Sequence, residues 1–142
     1  MKPHKNALSL VFTNSAGKVL TVRRSPMKKS FPNFWSLPAT ALLENESYQT
    51  AASRLGKENL GLTSLKIGNA PLGSSESERS AHFLHMTDYE VLKYEDDLTL
   101  NREEYTDMKW VTPVELKNLL LTEHDGKMGD CCKVFLKAKG LL

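Results

Sequence analysis

Carboxylates at helical spacing, basic residues in clusters, and cysteines or histidines in ligand patterns are the groups that could do chemistry in this chain. The stretch from Trp35 to Leu62 holds the densest set, with Glu46, Arg54, Glu58, Asn59 and Gly61. Apolar residues Tyr48, Ala51, Ala52 and Leu55 recur at helical spacing, Asn45 or Ser47 can cap the start, and Gly61 stands where the helix would end. Glu58 and Asn59 therefore fall in the last turn of a predicted helix. Side chains three and four positions apart share a helix face. Arg23, Arg24, Lys28 and Lys29 gather locally, a patch suited to a small phosphorylated ligand. Read alone, Glu58 is either a metal ligand or a solvated helix carboxylate. Glu103 and Glu104 are by default a solvated acidic pair.

Other reactive side chains give less. His4, His82, His85 and His124 show no metal-ligand spacing, and Cys131 and Cys132 are adjacent. Vicinal cysteines rarely bridge, and with no second pair the composition fits a reducing, cytoplasmic setting.

The whole stretch resembles the Nudix box: Gly, five residues, Glu, seven residues, then Arg-Glu-apolar-any-Glu-Glu-any-Gly-apolar. Seven residues separate Glu46 from Arg54, while Glu58, Gly61 and Leu62 fall in frame, and Trp35-Ser-Leu-Pro38 matches the usual entry to the box. Sliding the frame by one residue loses Glu46, Arg54 and Gly61 together. The resemblance extends to the opening strands ending in Arg23-Arg24-Ser25, and to Glu103-Glu104-Tyr-Thr-Asp-Met-Lys-Trp110-Val-Thr-Pro113 as the late strand and closing helix.

That resemblance implies a Nudix-type α/β/α sandwich with a mixed β-sheet. It implies a metal-dependent hydrolase of a nucleoside diphosphate linked to another moiety, with Glu58, Glu103 and Glu104 as catalytic candidates. Glu58 and Asn59 would be the metal ligands, Arg23, Arg24 and Trp35 would meet substrate, and Glu46, Arg54 and Gly61 would brace the box. The family's carboxylate trio falls on Leu55, Glu58 and Asn59, of which only Glu58 is a carboxylate. Leu55 cannot coordinate, and could instead pack with Ala51. Ala39 and Thr40 replace the Gly-Gly pair whose freedom at positive φ lets backbone approach ligand closely. The metal site reads as impaired. The cofactor is Mg²⁺ or Mn²⁺ if the box is active, and none if it is not. The alternative is an inactive Nudix-fold module that binds a nucleotide or phosphometabolite or serves regulation. An isopentenyl diphosphate isomerase relative would need Cys and His near the box, where Ser36, Leu37 and Pro38 stand.

These positions rest on elements that the pattern predicts with less detail. With 142 residues, 40% hydrophobic, 25% charged and a net charge of +2, the chain reads as one domain, 1–142, with no strong nucleic-acid signal. The apolar run at Ala7 to Phe12 is too short to cross a membrane. Ala7–Phe12 and Lys18–Val22 around a Thr-Asn-Ser-Ala-Gly turn predict a β-hairpin. Ser25–Asn33 and Glu95–Thr106 read as loops, and Gly73–Ser80 as a mobile polar loop. Strands are expected at Leu65–Ile67, Ala81–Val91 and Met108–Val111. Helices are expected from Pro113, capped by Thr112, and over Lys133–Lys139. A homodimer is left open.

Overall fold

The computed structural model describes residues 2–29, 31–121 and 128–142; His124 lies outside them. The elements run β1 (His4–Val11), β2 (Val19–Arg24), β3 (Trp35–Ser36), β4 (Ala39–Ala41), α1 (Tyr48–Leu60), β5 (Ser64–Ile67), β6 (Gly73–Glu78), β7 (Phe83–Glu95), β8 (Tyr105–Val111), α2 (Pro113–Leu121) and α3 (Asp130–Ala138). A five-stranded mixed sheet has the order β4-β1-β7-β5, with β6 also paired to β7, and a three-stranded sheet has the order β3-β2-β8. Among the described strands, β1 and β7 are the pair that runs parallel. Helices cover both faces. Leu8, Leu10, Leu20 and Val22 pack with Ala51, Ala52 and Leu55 of α1. Ala7, Val11, Met86 and Val111 pack with Leu116 of α2 and Phe135 and Leu136 of α3. This is the expected α/β/α sandwich.

The β-hairpin is not formed as expected. The turn exists: Asn14 takes the Lys18 carbonyl at 2.9 Å, Leu20 takes that of Phe12 at 3.1 Å, and Thr13 bridges Val19. Beyond it the strands part into different sheets, β1 pairing with β4 and β7, and β2 with β3 and β8. Both strands hold unbroken buried runs next to the turn, Ala7–Val11 and Val19–Val22, which is how a strand reads when both faces are covered.

Gly73–Ser80 is also corrected, since Gly73–Glu78 is the strand β6 rather than a loop. It carries no apolar alternation because α3 lies against it. A Cβ at Gly73 would sit 3.2 Å from Val134 Cγ1, and Ser75 and Ser77 stand opposite Met86 and Leu84. Small residues are what that contact admits. Elsewhere the differences are at boundaries: β7 runs on to Glu95, β8 begins at Tyr105, and α3 begins at Asp130.

α1 forms as the spacing predicts, with Ser47 rather than Asn45 as its cap, its Oγ accepting from the Thr50 amide at 3.1 Å. Gly61 ends it in the left-handed region, at φ 68°, while Leu62 donates to the Gly56 carbonyl at 2.9 Å. At α2, Thr112 Oγ1 accepts from the Glu115 amide and Glu115 Oε1 from the Thr112 amide, a reciprocal capping box. Among the described residues no helix is long and apolar enough to cross a membrane.

Candidate active site

Five positions of the box act as a brace. Arg54 donates from Nε to Glu46 Oε2 and from Nη2 to Glu46 Oε1, both at 2.9 Å, a bidentate pairing. Its Nη2 also reaches the Ala41 carbonyl at 2.9 Å and its Nη1 the Thr40 hydroxyl at 3.4 Å. Glu46 Oε1 accepts the Leu43 amide at 2.9 Å. The Arg54 guanidinium, then the Leu43 amide, hold the Glu46 carboxyl below the usual carboxylate range, and Glu46 raises Arg54 in return. The loop before α1 is thereby tied to the helix.

Ala39 and Thr40 have found another conformation. Neither has positive φ, and both lie in β4, opposite Ser9 and Leu8. The backbone here is an extended strand without strain.

The trio positions point in different directions. Leu55 is 1% exposed and belongs to the α1 core with Ala51. Glu58 is exposed on the helix surface, close enough to raise the pKa of Arg54. Asn59 donates from Nδ2 to the Tyr105 hydroxyl at 3.4 Å. Burial pushes the Tyr105 phenol up, opposed by the hydrogen bonds from Asn59 and from the Ala39 backbone. The last turn of α1 is also tied to the chain before β8, because Asn101 donates to the Asn59 carbonyl at 2.9 Å and, from Nδ2, to the Glu58 carbonyl at 3.2 Å, and Thr99 donates to the Leu60 carbonyl at 2.8 Å. Carbonyls that a helix end leaves open are satisfied there.

The acidic pair divides as well. Glu104 Oε2 meets Lys28 Nζ at 2.6 Å, which anchors the Ser25–Asn33 segment to the start of β8. Glu103 is exposed, its amide donating to Asn101 Oδ1 at 3.0 Å. The basic pair separates across β2, at a register shift between its two members. Arg24 lies near enough to Tyr105 to lower its pKa. Arg23 stands opposite Trp35 and donates from Nε to the Asn33 carbonyl at 3.3 Å. Trp35 is half-buried against the α2/α3 core. Thus Arg24, Glu104, Tyr105 and Asn59 come together beside the end of α1, while Arg23 and Trp35 lie toward the other helix layer. Tyr105 and Asn101 were not singled out in sequence; the signal for them was only their place just after the Glu103-Glu104 pair and just before it.

The family's carboxylate trio is not assembled in this arrangement. Among the described residues no three His, Cys, Asp or Glu side chains come close enough to share one ion. The first trio position is sealed in the core, and the Asn59 amide nitrogen is turned to a phenol.

The sequence profile of the NUDIX domain matches residues 2–130. An uncharacterized Nudix hydrolase of Listeria innocua is 33% identical over 111 residues, covering 75% of this chain and 62% of that protein, so the chain spans less than two thirds of this relative's length. The MutT protein of Methanosarcina mazei superposes with a TM-score of 0.76 at 21% identity, covering 96% of this chain and 91% of that one. The Ap4A hydrolase of C. elegans, solved as a binary complex, gives 0.65 at 17% identity with 99% of each chain covered. These structural likenesses carry the fold. By the extent of the profile match and the identity to its sequence relatives, the chain belongs to the Nudix family.

Proposed function

We propose that the chain recognises a nucleoside diphosphate linked to another group on the surface formed by Arg24, Glu58, Asn59 and Glu104, and that it hydrolyses this ligand slowly. Family membership supports the ligand class. The observation that carries the low turnover is Leu55, buried in the core where the family pattern has a carboxylate. Transition-state charge on a transferring phosphoryl group must be stabilised by fixed positive or donor groups, and each one lost lowers the rate. Here Arg24 and Lys28 stand beside that surface, with Lys28 drawn to Glu104. The unbridged Cys131 and Cys132 fit a cytoplasmic setting, and residues 1–142 are proposed to act as one domain.

A second reading, recognition without cleavage, is favoured by the bond from Asn59 to Tyr105, which gives the last trio position a structural task. One assay separates the two. The purified protein is incubated with a panel of nucleoside diphosphate derivatives and Mg²⁺ or Mn²⁺, and phosphate-containing products are followed beside thermal stabilisation. The proposal expects slow cleavage that Glu58→Gln abolishes. Ligand-induced stabilisation without metal and without products overturns the hydrolase and leaves the binder.

A further inference from the structure

A groove lies on the far face of the sheet from α1. It measures ≈ 500 Å³ and runs between β6 and α3, with Ser75, Ser77, Val134 and Ala138 within it and Lys133 and Lys137 on its helix wall. Asp130 at one end is taken by Arg79 at 2.9 Å. Lys133 and Lys137 have no carboxylate partner among the described residues, so the helix wall of the groove is positive, while Glu76 borders it on the strand side.

The strand beside it has an open edge. The Arg79 amide donates to the His82 carbonyl at 2.8 Å, and the register then runs Ser77↔Leu84, Ser75↔Met86 and Gly73↔Asp88. In an antiparallel ladder, hydrogen-bonded pairs alternate with pairs whose N–H and C=O point away. The outward set is Ser74, Glu76 and Glu78. The Phe83 amide donating to Pro3 confirms the phase from the other side of β7, at 2.9 Å. Among the described residues β6 has β7 as its one strand neighbour. Three donors and three acceptors therefore line an edge next to a groove of ligand size.

A second copy of the chain is a poor occupant. Pairing β6 with itself over its full length sets Glu76 against Glu76 on one face. It also brings the Lys133 and Lys137 rows of two α3 helices toward each other on the opposite face. Like charges directly opposite each other destabilise strand pairs. A different chain can answer both faces.

We propose that β6 takes up an extended peptide segment of a partner protein as an added strand. Its acidic side chains would face the groove toward Lys133 and Lys137, and a basic side chain would stand on the other face near Glu76. Main-chain bonds supply the affinity and the alternating faces supply the selectivity. A peptide that alternates in this sense (acetyl-Thr-Glu-Lys-Val-Thr-Glu-Thr-amide) is the probe, and its charge-swapped counterpart, with Lys for Glu and Glu for Lys, is the control. Titrated into the full chain and followed by amide NMR, the probe should shift Ser74, Glu76 and Glu78 saturably and slow their hydrogen exchange. The control should bind about tenfold more weakly.

Two variants read different parts of the proposal. Ser74→Pro removes one outward N–H without touching the β7 ladder and should weaken the probe about tenfold. The double variant Lys133→Glu, Lys137→Glu should invert the preference between the two peptides, on exposed positions whose change leaves the fold intact. No saturable shift along β6, equal binding of both peptides, or unaltered preference in the charge-reversed variant overturns the proposal. So does protection of Ser74, Glu76 and Glu78 without peptide, with a doubled mass in sedimentation, since a second copy would then hold the edge.

Discussion

Around α1, the polar groups of the box and of Tyr105 are answered one by one. Arg54 meets Glu46 through two bonds and spends further donors on Ala41 and Thr40, and the buried Tyr105 phenol is met by Asn59 and the Ala39 backbone. On the α3 face, Asp88 is fully buried, with Oδ1 held by Ser9 Oγ at 2.5 Å and Oδ2 without a partner among the described residues. The Cys131 thiol, raised by its bond to Cys132 and by burial, lies close enough to feel that carboxyl. The difference teaches where ionisation is tolerated. The box face keeps a charge pair at its rim and an apolar residue at Leu55, and the α3 face holds a carboxyl that burial pushes up to about 7.

The largest effect should come from reversing the first half of that contrast. Leu55→Glu would put a carboxylate back at the trio position, but in a site with 1% exposure. An unpaired buried charge is among the most costly substitutions, and a loss on the order of 4 kcal/mol by urea unfolding is expected. If the variant instead keeps its stability and gains Mn²⁺-dependent thermal stabilisation, the box face is open and the contrast fails.

Asp88 tests the second half through pH. Burial raises its folded pKa to about 7, well above the ordinary aspartate value, so the folded state holds the proton more tightly than the unfolded chain. Its contribution is then fully present below about pH 4 and is lost as pH rises toward and through 7. The protein should be less stable at pH 8 than at pH 5, and Asp88→Asn should flatten that slope, with a gain of roughly 2 kcal/mol at pH 8. Thermal unfolding across this range checks it; a slope unchanged in the variant would assign the titration to another group.

What was legible in the sequence follows the same division. The helix α1, its Ser47 and Gly61 ends, and the Glu46–Arg54 brace depend on residues within a few turns of one another, so spacing exposed them. The burial of Leu55 was legible for the same reason, as a leucine in phase with Ala51. Tyr105 and Asn59 meet across 46 residues, and no local pattern marks such a contact. β6 was misread because its sequence, Gly-Ser-Ser-Glu-Ser-Glu, answers to α3 rather than to its own periodicity. The divergence of β1 and β2 was hidden because a turn with strands on both sides reads alike whether they pair fully or part after one bridge.

Arg54→Ala measures the brace. It removes both bonds to Glu46 and leaves that carboxylate with the Leu43 amide alone, although the arginine side chain is 25% exposed and water can replace part of what is lost. A cost of roughly 1 to 2 kcal/mol is expected, with turnover falling alongside as β4 and the loop before α1 loosen. Loss of turnover with unchanged stability would mean that Arg54 touches ligand and that the brace is elsewhere.

The smallest effect separates Tyr105 as a strut from Tyr105 as a ligand contact. Tyr105→Phe keeps the buried ring and deletes the hydroxyl that Asn59 and the Ala39 backbone address. Asn59 is half-exposed and can turn its amide to water, whereas the Ala39 donor is fixed in β4, so about 1 kcal/mol should be lost. Because the phenol is only 2% exposed, nucleotide affinity measured by calorimetry should change less than twofold. A tenfold loss of affinity at unchanged stability would instead place the hydroxyl in the ligand's path, and would make the end of α1 a surface that opens on binding.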